Sequence, residues 1–148
     1  MRTTLLCAAI VASLATGTGA HTPAPQPAGG HVMHLIKLPN GDYTVPLREL
    51  EASGTSGSVT VHPQGLKTLV TVTVSGKPKR KHVFNLVSGT DCGILGAPAA
   101  IPLTPTLTGQ PSRTIVSLPI DSLTSKDYVL TAQDATNSAQ FREACARF

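Results

Sequence analysis

Residues 66–75 constrain the fold most, because Val70, Val72 and Val74 alternate there with Thr71 and Thr73. Successive side chains of a strand point to opposite faces, whereas a helix repeats every three to four residues. This run can therefore bury an apolar row only as a half-buried strand. The same period of two recurs at 58–62, where Val59 and Val61 alternate with Ser58, Thr60 and His62, and again at 128–132. At 82–88, Phe84 and Leu86 face one way, with Val83, Asn85 and Val87 opposite. Residues 32–38, 43–50 and 113–118 read as further strands.

Turn chemistry separates these runs. Pro39-Asn40-Gly41-Asp42 predicts a tight type I′ hairpin centred on Asn-Gly. Residues 52–57 form a flexible connection, Pro63-Gln64-Gly65 a turn, and Pro119–Lys126 a turn or single helical turn. Residues 90–111 carry Gly93, Gly96, Pro98, Pro102, Pro105 and Gly109, which excludes a regular central strand or a helix. Seven to eight strands at this spacing, with no alternating helices, predict an all-β domain of two packed antiparallel sheets in a Greek-key sandwich. A chain of 148 residues suffices for one such domain.

The first residues carry a different signal. Arg2, the apolar stretch 5–14 and the small residues ending at Ala20 follow the pattern of a secretory signal peptide over 1–20. About ten apolar residues are roughly half of what a bilayer requires, so no membrane span is expected. Export places the chain in the periplasm or outside the cell. Cys7 leaves with the leader, and the even pair Cys92 and Cys145 then reads as one disulfide.

Residues 21–30 hold three prolines and two glycines with nothing to bury, so they predict an extended, flexible arm ahead of the domain at 31–148. Cleavage after Ala20 would leave His21 as the first residue, and an amine beside an imidazole chelates copper. His31, Met33 and His34 follow and add imidazole and thioether donors. His82 is a further metal-ligand candidate, although a lone strand histidine is more often simply hydrogen-bonded. Polar termini of secreted chains also collect such residues without function.

Loss of Arg2 lowers the formal charge from +4 to +3, so the mature chain is only mildly basic. Four of its cations, Lys77, Lys79, Arg80 and Lys81, crowd ahead of the 82–88 strand. Such a patch suits nucleic acid, an anionic polysaccharide or an acidic surface. It equally suits a solvated hairpin whose charges keep strand edges from pairing. The lack of interleaved aromatic residues argues against nucleic acid.

Several segments together resemble the copper, zinc superoxide dismutase superfamily and its bacterial dismutase-like relatives. Ser56-Gly57-Ser58-Val59-Thr60-Val61 looks like the family's opening Ser-Gly strand, and Gly89-Thr90-Asp91-Cys92-Gly93 like its Gly-Thr-Cys turn with one residue inserted. Pro102-Leu103-Thr104-Pro105 is similar to its Pro-Leu-Asn loop, residues 128–133 to its late strand, and Arg142-Glu143-Ala144-Cys145 to Arg-x-Ala-Cys. The resemblance implies a copper site built from strand histidines that cycles between oxidation states. At the matching positions stand Asn85, Val87 and Gln133, which offer no imidazole. Residues 90–111 also contain no histidine for zinc. The resemblance gives Arg142 an anion-guiding role, while the residue by itself reads as a surface arginine near a disulfide. The expectation is a secreted, dismutase-like module that binds or supports rather than catalyses, with no cofactor. The alternative is a copper protein, or a copper-dependent dismutase, with an unorthodox histidine site.

Overall fold

The computed structural model describes residues 35–89, 92, 101–125, 128–136 and 142–148. The elements in order are β1 (Ile36–Lys37), β2 (Tyr43–Glu49), β3 (Ser56–Gln64), β4 (Lys67–Ser75), β5 (Lys81–Ser88), β6 (Ile101–Leu107), β7 (Ser112–Val116), α1 (Ile120–Ser125), β8 (Tyr128–Asp134) and β9 (Arg142–Arg147). All strand pairs are antiparallel. Eight strands follow the order β6-β5-β8-β9-β2-β3-β4-β7, and β1 pairs with β2 off this path. The two ends of the path meet through side chains: the Thr104 amide donates to Thr114 Oγ1 at 2.8 Å, and the Ser112 hydroxyl donates to the Thr104 carbonyl. The result is an almost closed, all-β barrel, flattened as a sandwich.

The period-two pattern places the core. Val59 and Val61 on β3, Val70, Val72 and Val74 on β4, Phe84 and Leu86 on β5, and Leu130 and Ala132 on β8 all face inward and are buried. The link from β4 to β5 crosses between the two halves, since β4 lies between β3 and β7 while β5 lies between β6 and β8. That crossing gives the Greek-key path. The basic segment is therefore a crossover, and neither strand beside it is an edge. This removes the edge-protection reading of its lysines.

Other expectations are adjusted by local geometry. The turn after β1 is not type I′: Gly41 has φ 85°, Asn40 has no positive φ, and the Gly41 amide donates to the Leu38 carbonyl at 3.0 Å. Pro39, with φ fixed near −65°, takes the second position of that turn, so the glycine supplies the left-handed residue one step later. Within the proline-rich stretch, β6 forms as an end strand, where Pro102 and Pro105 withhold few ladder donors. The tail is also a strand, β9, which pairs with β8 and β2. Of the 32–38 strand, only Ile36–Lys37 is seen as β1. Residues 1–34, which include the stretches read as leader and arm together with His21, His31, Met33 and His34, lie outside the described residues.

Cys92 and Cys145 are bonded, with Cα atoms 5.9 Å apart and a sequence separation of 53. The bridge ties the chain just beyond β5 to the middle of β9. Closing a loop of this size restricts the unfolded chain by about 4 kcal/mol in the chain-entropy picture. Replacing both cysteines by alanine is expected to lower unfolding free energy by that order, measured by denaturant titration, with a steeper slope because the unfolded chain is no longer restricted. A loss below about 1 kcal/mol would mean that the bridge adds nothing beyond native packing.

Candidate functional site

At the end of the barrel where β5 begins, the interior is polar. His82 has the same parity as Phe84 and Leu86, so the alternation that builds the core also drives its ring inside, with 0% of the residue exposed. A buried imidazole needs partners on both nitrogens. Nδ1 lies 3.1 Å from Glu143 Oε2, and Nε2 lies 2.9 Å from Thr108 Oγ1.

Glu143 reaches His82 because of a break in the ladder. On β8 and β9, Ala132 pairs with Ala144 but Gln133 pairs with Arg142, which leaves Glu143 as the extra residue of a β-bulge. Bulges re-aim side chains at barrel rims. Here both Glu143 and Ala144 are buried. The second Glu143 oxygen, Oε1, accepts from Arg80 Nη2 at 2.9 Å. The Arg80 guanidinium also donates to Asp134 Oδ2 through Nε at 2.8 Å and through Nη2. Asp134 pairs with His82 across the strands.

The electrostatics follow from this packing. The Asp134 carboxyl is held down at about 2, first by the Thr136 backbone N–H and then by Arg80 and the Thr136 hydroxyl, against the upward pull of burial. Arg80 is held above its ordinary value by its bond to Asp134 and by the nearby Glu143, with burial opposing. Paired carboxylates inside a barrel end are tolerated only when charge and hydrogen bonds are both matched.

The same cluster holds strained backbone. The non-glycine residues with left-handed φ are Glu51 (51°), Ala52 (52°) and Lys79 (61°) among the described residues. Each such conformation costs on the order of 1 kcal/mol or more. Glu51 and Ala52 lie in the β2–β3 turn, where the Glu143 carbonyl accepts from the Leu50 amide at 2.8 Å and the Ser53 hydroxyl at 2.7 Å. Lys79 lies in the crossover. There the Thr108 hydroxyl is 2.9 Å from the Lys77 carbonyl and 3.3 Å from that of Arg80, and the Thr108 amide donates to the Arg80 carbonyl at 2.9 Å. The two turns touch at Gly76, whose φ is 153° and where a Cβ would come within 2.8 Å of the Gly54 carbonyl oxygen.

Thr108, His82 and Glu143 have the order of a hydroxyl, base and acid relay. Three facts oppose that chemistry. Carbonyls only accept, so Lys77 and Arg80 draw the hydroxyl proton away from His82. Both ring nitrogens are engaged by buried partners, so neither faces an open position where a substrate could meet it. The backbone amides that would form an oxyanion hole are occupied: Thr108 to Arg80, Gly109 to Val74 at 2.8 Å and Gln110 to Leu107 at 3.0 Å. The cluster is a structural clamp.

The positions matched to metal ligands lie elsewhere. Asn85 and Val87 on β5 and Gln133 on β8 share the outer sheet face, opposite the face that carries His82. Cys145 and Arg142 belong to this outer face through their pairing with Thr131 and Gln133. Val87 is buried against Cys92, Val129 and Cys145. Arg142 is half-buried and donates from Nη1 to the Cys92 carbonyl, so it braces the chain beside the disulfide. No group of three or more His, Cys, Asp or Glu residues is placed to hold a metal among the described residues. No helix of the described residues is long and apolar enough to cross a membrane.

Neither Glu143 nor Asp134 stands out in the sequence, and the one available signal was the parity of His82. A test follows from Asp134. Its depressed carboxyl contributes stability above the unfolded value of 3.8, and that stability is lost as pH falls toward 2. Asp134→Asn is therefore expected to cost on the order of 2 kcal/mol at pH 7, with the gap to the unmodified protein closing between about pH 4 and 2. Unfolding titrations across that range check it, and a gap independent of pH contradicts it.

No protein-family model, no curated protein and no solved structure matches this chain, so the functional argument rests on its own residues.

Proposed function

We propose that this chain is a secreted, non-catalytic binding module of superoxide-dismutase-like ancestry. The observation that carries the reading is the outer face of β5 and β8. The three positions that the resemblance assigns to copper ligands share that face but are spread along it, with Gln133 opposite Val83 rather than Asn85 or Val87, and they carry no imidazole. Valine has no donor atom, and amide oxygens are poor ligands for copper.

His82 does not compensate. It lies on the interior face, with both ring nitrogens engaged and its partners tied to Arg80 and to the crossover backbone. Recruiting it to a metal would leave the Glu143 carboxylate buried with one partner fewer, which is costly. Export is supported by the leader pattern and by a bridge of the kind that persists in oxidising compartments.

The test compares superoxide dismutation per bound copper for the processed, oxidised protein with that of free aqueous copper, with chelator controls. Asn85→His, Val87→His and Gln133→His combined serve as the reference for a restored imidazole set. The expected outcome is that the unmodified protein adds nothing to chelator-sensitive copper. One tightly held copper turning over superoxide near the diffusion limit, roughly 10⁸–10⁹ M⁻¹s⁻¹, would contradict the reading and point to His21, His31, Met33 and His34 as the ligands.

A further inference from the structure

We propose that the crossover at residues 76–81 is a preorganised binding finger for an anionic polysaccharide, with Lys77, Lys79 and Lys81 engaging its sulfate or carboxylate groups. The inference rests on the reading of the chain as a binding module and supplies its partner class. All three lysines are exposed, and none forms an ion pair among the described residues. Arg80 leaves the patch, because its guanidinium turns inward to Asp134 and Glu143. The cations of this segment therefore divide into one anchor and three free charges.

Solvation alone does not account for the design. Protecting a sheet edge is excluded, since both flanking strands have neighbours on each side. The segment is also held more firmly than a solvated link requires. Thr108 fixes the Lys77 and Arg80 carbonyls, the Ala135 amide donates to the Lys81 carbonyl at 2.8 Å, and Gly76 packs against Gly54. A lysine is kept at a left-handed φ of 61°, where glycine would relieve the strain. Strain retained at an exposed charge, under a buried clamp, marks a position valued for what it presents. Rigid presentation also lowers the ordering cost of binding.

The partner class follows from the neighbours. Residues 76–81, 106–110 and 134–136 carry no aromatic side chain for base stacking. Lysines act as point charges, and with Arg80 turned inward no planar fork is offered for bidentate recognition of one particular anionic group, which suits a polymer of repeated charges. Glu49, the last residue of β2, accepts from the Gly54 amide at 2.6 Å through one carboxylate oxygen.

Heparin immobilised on a surface is the probe, with the processed full chain at low salt. Lys77→Gln, Lys79→Gln and Lys81→Gln together are expected to weaken binding at least tenfold. Lys37→Gln, Lys67→Gln and Arg113→Gln, which remove equal charge elsewhere, should stay within twofold. Lys79→Gly is expected to raise Tm while weakening binding, a combination that a purely structural lysine would not give. Thr108→Val keeps every charge and should still weaken binding several-fold, with folding verified by circular dichroism. Equal losses in the two triple variants, unchanged affinity in the first, or tighter binding of single-stranded DNA than of heparin would each overturn the proposal. None of these outcomes alters the copper measurement, and an efficient copper dismutase whose heparin binding still depends on the three lysines would overturn only the earlier reading.

Discussion

The Glu143 carboxylate, buried between the guanidinium of Arg80 and the ring of His82, is the contact on which this end of the barrel depends. A carboxylate in such a place is retained only if each oxygen is matched by a donor. One oxygen has Arg80, and the other has His82 with a longer approach from the Thr55 hydroxyl at 3.4 Å. Arg80 and His82 flank the start of β5 while Glu143 stands on β9 and Thr55 precedes β3, so the carboxylate is matched only once β8 has joined β5 to β9. The β-bulge at Glu143 is what makes this arrangement available, since a regular β9 would direct that side chain outward.

The backbone follows from the same contact. The Glu143 carbonyl holds the β2–β3 turn through Leu50 and Ser53, and His82 positions Thr108 against the crossover. Both turns contain left-handed non-glycine residues that would relax in isolation. The polar cluster offsets that strain, while the apolar interior of the barrel, from Val45 to Ala146, supplies the cohesion that keeps the cluster dry. Rigidity at an exposed basic segment is thus generated from inside the barrel.

Much of the architecture was legible in the sequence, and the reasons are physical. The runs in β3, β4, β5 and β8 alternate cleanly because one face of each is buried and the other is wet. The cysteine pair was readable by count alone. β9 was not, because its bulge puts Glu143 and Ala144 on one side and erases the period of two. β6 was obscured by Pro102 and Pro105, which an end strand tolerates. The Asn40-Gly41 pair misled because Pro39 claimed the preceding turn position. Least legible was the clamp, whose members Arg80, His82, Thr108, Asp134 and Glu143 are scattered over four segments. Only the parity of His82 hinted that its ring had to find partners inside. The basic segment was visible, but whether it bordered a sheet edge depended on the strand order.

Native-state hydrogen exchange tests the clamp most directly. The amides of Leu50, Thr108 and Ala135 lie in or beside turns, and they donate to the carbonyls of Glu143, Arg80 and Lys81, which belong to the clamp or adjoin it. If the buried cluster orders this end of the barrel, they should exchange nearly as slowly as interior strand amides such as those of Val72 and Leu86, through global unfolding. Exchange at the rates of free loops, with the strands still protected, would show that the turns open independently and that the clamp does not hold them.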